Sequence, residues 1–213
     1  MTAFDDLRGA VVEKVRGDCR QWTTDHVERV IWLTTEGSSG SRVELPGVIA
    51  ERSFDWVWFS SAEDWRRGGA KGSAHDGSQQ AFSQVVEIGN PGESIVIAVP
   101  EIRRRFQLKV VDWHAWRRDT EADKCALDRD LLSSPLVLRN WRPGDSFRPK
   151  GRRSAHKLKH LLRIGRVRAS AREGWPVLTS ANLLVWARGL PAASEVATGP
   201  TTRSGVVITE EEL

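Results

Sequence analysis

The densest chemistry in this sequence is cationic. Between Arg139 and Arg172 lie twelve Lys and Arg residues and a single acid, Asp145. That segment carries +11 while the whole 213-residue chain carries +4, so the remaining residues sum to −7. A mildly acidic body bearing one dense basic strip is the electrostatic footprint of a polyanion binder, because a merely solvated face mixes both signs. The candidate phosphate-contacting residues are Arg139, Arg142, Arg148, Lys150, Arg152, Arg153, Lys157, Lys159, Arg163, Arg166 and Arg168. Inside the strip, Pro143, Gly144 and Asp145 read as a structural turn. Pro143 at i+1 and Gly144 at i+2 suit a type II turn, and Asp145 can hold it by accepting backbone N–H groups. Phe147 is expected to pack. Arg139 and Arg142, fixed beside that turn, are the candidates for reading bases, since readout needs held geometry.

Other constellations carry less. Gly68 to Ser73 resembles a phosphate loop superficially, but its spacing is wrong and no strand leads into it. His156 and His160 lie four apart on an expected helix, as two zinc ligands would. Lys157 stands where a metalloprotease needs Glu, and the surrounding cations repel a metal ion, so no metal site is expected. Asp112, Asp119, Asp123, Asp128 and Asp130 are scattered acids with a solvated role by default. Cys19 and Cys125 make no zinc or redox motif and read as packed thiols in a reducing compartment. No nucleophile, base and oxyanion donor come together, so no catalytic residue is assigned.

The elements that must position the strip follow from periodicity and punctuation. Leu138 to Pro149 reads as a strand ending in the sharp turn. Ser154 is a candidate N-cap for a helix from Ala155 to Ile164, with Leu158, Leu161 and Leu162 as its buried stripe and Gly165 at C′. Arg152, Arg153 and Lys157 then crowd the helix start, where the macrodipole disfavours cations. A bound phosphate would relieve that conflict.

Upstream, residues 4–16 show helical spacing of Phe4, Leu7, Val11 and Val15. A second helix starts near Thr24 and stops before Gly37, followed by a Gly/Ser loop over 37–41. Val43 and Leu45, a Pro46-Gly47 turn and a return strand from Val48 to Phe59 form a hairpin, with Phe54, Trp56 and Trp58 on one face. Residues 61–80 read as a linker. Strands follow at Ile95 to Val99, through Phe106, Leu108 and Val110, at 176–187 around Ser180-Ala181-Asn182, and at Val206 to Thr209. Glu210 to Glu212 reads as a solvated acidic tail. Helices first and strands later predict an α+β fold: residues 1–60 as the end of a helical domain plus a β-hairpin, and 81–213 as a β-rich, sandwich-like domain with one basic helix.

Hydrophobic residues at 39% and charged residues at 28% are ordinary globular usage. Arg outnumbers Lys 25 to 7, and ten Trp occur with no Tyr, which reads mainly as a GC-rich codon bias. Some of those tryptophans are expected to be core anchors. No apolar run approaches the roughly 18 residues of a membrane helix, and no secretory signal is visible, so a cytoplasmic location is expected.

The run from Pro135 to Pro149, with Arg139, Arg142, Pro143-Gly144-Asp145 and Phe147, resembles a "PL-x-(V/L)-R-x-R-x-PGD-x-F-x-P" motif. It is found in the C-terminal domain of bacterial tRNA(Ile)-lysidine synthetases. Lys157-Leu158-Lys159 is similar to that family's "K-L-K" helix. Pro176-Val177-Leu178 and Leu184 to Gly189 are similar to its "P-V-L … (I/L)-V-W-V-x-G" ending. More weakly, Leu45-Pro46-Gly47 and Arg52 to Asp55 resemble its "L-P-G … R-x-Y-D" hairpin. Departures lie at Lys150-Gly151-Arg152-Arg153, in place of a hydrophobic "L-G-M", and at Arg168-Ala169, in place of "P-R". The resemblance implies a role in binding tRNA(Ile) with a CAU anticodon, whose wobble cytidine the family's enzymes convert to lysidine. It implies that ATP and Mg²⁺ act in an N-terminal PP-loop domain carrying Ser-Gly-Gly-x-Asp-Ser, a motif not found in this sequence. No cofactor is therefore expected here, and the chain is not expected to be active alone. A separate PP-loop chain and a homodimer stay open as partners. A free-standing RNA-binding module without ligase activity, and a structural domain whose strip binds any polyanion, are the alternatives.

Overall fold

The computed structural model describes residues 21–67, 81–116 and 125–213. The expected helix over 4–16, Cys19, Asp119, Asp123 and the Gly68 to Ser73 segment lie outside the described residues. The described residues form two compact units: one comprises residues 21–67 with the segment 166–170, the other residues 81–116, 125–165 and 171–213.

In the first unit, α1 (Thr24–Thr35) starts after Thr23, whose backbone N–H donates to His26 Nδ1 at 3.0 Å. It buries Val30 and Leu33 against β1 (Arg42–Leu45) and β2 (Val48–Ser53) in a cluster with Trp22, Val43, Leu45, Val48 and Ala50. The expected single return strand is two strands. The chain turns at Phe54-Asp55, where Phe54 takes φ 55°, and comes back as β3 (Trp56–Ser61) antiparallel to β2. Phe54 therefore does not share a strand face with Trp56 and Trp58. Val57 and Phe59 pack on the core cluster, which sends Trp56 and Trp58 to the other face, since side chains alternate along a strand. Residues 62–67, read from the sequence as the start of a linker, form the short helix α2 (Ala62–Arg67).

The second unit is the β-rich body of an α+β fold. Its strands are β4 (Ser83–Val86), β5 (Ser94–Val99), β6 (Arg104–Asp112), β7 (Leu127–Asp128), β8 (Leu136–Asn140), β9 (Ser146–Phe147), β10 (His156–Lys157), β11 (Pro176–Ser180), β12 (Leu183–Ala187) and β13 (Ser204–Glu212). Two four-stranded antiparallel sheets have the orders β12-β11-β8-β4 and β5-β6-β13-β7. Period-two burial builds the core: Phe106, Leu108 and Val110 on β6 are all buried, and Phe106 meets Trp186 on β12 edge-to-face at 6.2 Å, joining the two sheets. Ala181 and Asn182 both take positive φ between β11 and β12, as a tight primed hairpin turn requires.

Two expectations about acids are corrected here. Glu210 to Glu212 is no free tail. These residues extend β13 opposite Arg104 to Phe106, with Glu210 paired to Arg188 at 2.6 Å and Glu212 to Arg104 at 3.1 Å. Asp128 is buried and accepts from Thr202 Oγ1 at 2.6 Å and from the Asp130 N–H at 3.0 Å. In both cases partners distant in sequence, Arg104, Arg188 and Thr202, meet the carboxylates, which local sequence does not reveal.

Candidate nucleic-acid interface

β8 delivers the chain into the turn Arg142-Pro143-Gly144-Asp145. Gly144 has φ 101° and the Asp145 N–H donates to the Arg142 carbonyl at 3.0 Å, so the turn is the expected type II. Asp145 holds it from both ends. Its Oδ2 accepts the Arg142 N–H at 2.7 Å, and its two carboxylate oxygens accept a fork of N–H groups from Arg139, each at 2.8 Å. The side chains of Arg139 and Asp145 are only 12% and 13% exposed. Burial alone would raise the Asp145 carboxyl pKa. The Arg139 hydrogen bonds, the Arg142 N–H and the charges of both arginines outweigh it and hold the group below the usual carboxylate range.

The same residue fixes the next element. The Asp145 carbonyl accepts the Leu158 N–H at 2.8 Å, and Ser146 and Phe147 pair with Lys157 and His156 as β9 and β10. The helix α3 (Leu158–Ile164) therefore starts at Leu158, three residues later than expected, with Lys157 rather than Ser154 at the N-cap. Its first N–H is taken by the Asp145 carbonyl, and with the start moved to Leu158 the residues Arg152 and Arg153 no longer lie at it, so the helix start adds no support for the expected phosphate. Gly165 is the C-cap and Arg166 takes the left-handed φ of 54° expected of a C′ residue. Leu158, Leu161 and Leu162 are buried as expected, and Phe147, expected to pack, is 3% exposed. Each such side chain contributes about 1.5–3 kcal/mol, which anchors the outward face of the helix.

The loop between β9 and β10 is also tied down. Arg148 Nε lies 3.3 Å from Glu195 Oε1, Lys150 Nζ donates to the Thr198 carbonyl at 2.7 Å, and the Lys150 N–H donates to Ala192. Gly151 at φ 87° then turns the chain outward.

The eleven sequence-predicted cations thus divide. Arg139, Arg148 and Lys150 are committed within the second unit, and Arg139 in particular cannot read a base without abandoning Asp145. Arg166 and Arg168 belong to the first unit, where Arg166 pairs with Asp55 at 2.8 Å and Arg168 lies 4.5 Å over the Trp58 ring. Arg152, Arg153, Lys157, Lys159 and Arg163 are exposed and make no side-chain hydrogen bond or ion pair among the described residues, and Arg142 is exposed beside them in sequence. The five from Arg152 to Arg163 make up the candidate phosphate-contacting surface, with Arg142 left as the candidate for reading a base. His156 and His160 add a stacked ring pair 6.3 Å apart within it, His156 from β10 rather than from the helix. Among the described residues no group of three metal-binding side chains occurs.

Residues 136–208 match the family model of the TilS substrate C-terminal domain. A tRNA(Ile)-lysidine synthase from Solibacter usitatus is 30% identical over 197 residues, covering 92% of this chain and 41% of that protein. One from Symbiobacterium thermophilum is 32% identical over 130 residues, covering 61% of this chain and 26% of that protein. A crystal structure of a TilS C-terminal domain superposes with a TM-score of 0.50 at 20% identity, covering 62% of this chain and 98% of that one, which bears out the fold. The chain spans less than half the length of these curated relatives. The motif residues from Pro135 to Gly189 that carry the resemblance nearly all fall inside the matched range, so residues 136–208 are similar, in motif and in fold, to the C-terminal domain of the tRNA(Ile)-lysidine synthetase family.

Proposed function

We propose that this chain holds tRNA for lysidine formation, contributing affinity and orientation rather than bond-making groups. The observation that carries the reading is the set Arg152, Arg153, Lys157, Lys159 and Arg163, which among the described residues display charge without acidic partners beside a turn and helix start held by Asp145. Exposed, unpaired cations on a rigid scaffold bind a phosphate backbone by releasing its condensed counterions. Phosphate contacts set register and orientation. In this reading the partner is tRNA(Ile) with a CAU anticodon and the setting is the cytoplasm. ATP and Mg²⁺ act in a PP-loop domain, on the same polypeptide or on a separate chain. The activity named for the similar synthases of Solibacter usitatus and Symbiobacterium thermophilum supports the substrate.

The test is competition. The chain should bind a tRNA(Ile) transcript more tightly than random RNA of equal length or heparin, and Arg152→Ala and Lys157→Ala should each weaken that binding. Equal affinity for heparin and tRNA, with no effect of either substitution, would leave the strip as a solvated surface.

A further inference from the structure

The excess of tryptophan has a structural outlet in the first unit. Trp56 and Trp58 stand on the outer face of β3, 67% and 44% exposed. Two strand residues apart, they are separated by about 6.8 Å along the strand. A buried core does not need them there, because Val57 and Phe59 already fill the inner face. Charges of both signs surround them, with Glu51 opposite Trp58 across the β2–β3 ladder and two arginines nearby. Arg168 lies 4.5 Å over the Trp58 ring and Arg166 lies 5.9 Å from the Phe54 ring. Asp55, the acid beside them, is paired with Arg166 at 2.8 Å with both side chains well exposed. Such an open pair is worth little, so a phosphate can take over the guanidinium at small cost.

We propose that Trp56 and Trp58, with Arg166 and Arg168, form a stacking platform for unpaired nucleotides of an RNA strand. The inference rests on the RNA-binding reading above and adds a contact of a different kind. Aromatic faces accept bases of any sequence, and guanidinium planes stack on bases while meeting phosphates. An apolar protein partner would match the rings but leave the two arginines uncompensated, whereas a nucleotide satisfies both with its base and its phosphate. The platform selects single strands, since a duplex hides the faces of its bases.

The full chain should be titrated with a short unstructured RNA oligonucleotide and with a duplex of equal length, at low and high salt. Trp56→Ala and Trp58→Ala should each lower single-strand affinity by about ten- to a hundredfold, leave duplex affinity unchanged, and keep their effect at high salt, because stacking releases no counterions. Trp56→Phe should retain most of the affinity. Lys157→Ala should instead weaken both RNAs and lower the salt dependence. If Trp58→Ala disturbs folding through Arg168, Trp56→Ala decides alone, its ring being two-thirds exposed. Single-strand affinity unchanged in both tryptophan variants, with Lys157→Ala still weakening binding, overturns the platform and leaves the RNA reading standing. A wild-type chain that binds neither RNA overturns both. Tryptophan quenching by anionic lipid vesicles and not by RNA overturns the platform in favour of a lipid surface.

Discussion

Asp145 has three acceptor atoms in use, and they serve three different elements: Oδ1 and Oδ2 hold Arg139 of β8, Oδ2 also closes the turn, and the backbone carbonyl starts α3. Asp145→Ala should therefore cost on the order of 3 kcal/mol, the penalty for stripping one partner from a largely buried ion pair, read as a lower urea midpoint. Its stabilising effect also depends on pH in a definite direction. The folded carboxyl is held below its ordinary value, so its contribution is fully present above the unfolded pKa of about 3.9 and is lost as pH falls through the lower folded value. Asp145→Asn should flatten the acid limb of the stability curve; an acid limb identical to wild type would show that the pair does not act this way. Arg139→Ala should likewise lower stability without changing preference among tRNAs, whereas Arg142→Ala should leave stability intact and weaken RNA binding. A measured loss of selectivity with unchanged melting in Arg139→Ala would contradict the assignment.

Elements show what could be read in advance and what could not. The turn at Pro143-Gly144 and the stripe Leu158, Leu161 and Leu162 were legible because their signals are local: a Pro-Gly pair and a helical period. Gly144 at φ 101° has open space where a Cβ would project, so Gly144→Val should cost about 1–3 kcal/mol through backbone strain alone, and an unchanged melting temperature would reassign the turn. The start of α3 was misplaced because Asp145 and the β9–β10 pairing compete for residues 156–158, and hydrogen bonds from across a turn are invisible to propensity. For the same reason Ser53-Phe54-Asp55-Trp56 read as continuous strand: a left-handed Phe carries no turn signature of the Gly or Asn kind. Partnering was equally hidden. Arg148 meets Glu195 and Lys150 meets Thr198, each over forty residues away, so sequence alone placed in the interface two cations that the fold ties down. Gly205 shows the same non-local logic in the core: an added Cβ would lie 2.5 Å from the Trp113 ring, so Gly205→Ala should destabilise β13 by about 1–3 kcal/mol through overpacking, measured by thermal melting.

At the scale of the molecule, charge is sorted rather than balanced. Among the described residues of the β-rich unit, Arg104, Arg139, Arg148 and Arg188 pair with acids, whereas the five cations from Arg152 to Arg163 lie together without an acidic partner. That asymmetry underlies the reading of this chain as a tRNA-holding domain, and it makes a quantitative demand. Five phosphate contacts should give a log-affinity against log-salt slope near −4.5, from about −0.9 per neutralised phosphate. Removing any one of the five should reduce the slope by about one unit, while Arg148→Ala and Lys150→Ala should leave it unchanged. Titration of tRNA(Ile) at several salt concentrations with the wild type, Lys157→Ala and Arg148→Ala measures this directly. The account predicts a slope near −4.5, a reduction by about one unit for Lys157→Ala and none for Arg148→Ala. A slope near zero, or equal reductions for both variants, would contradict it.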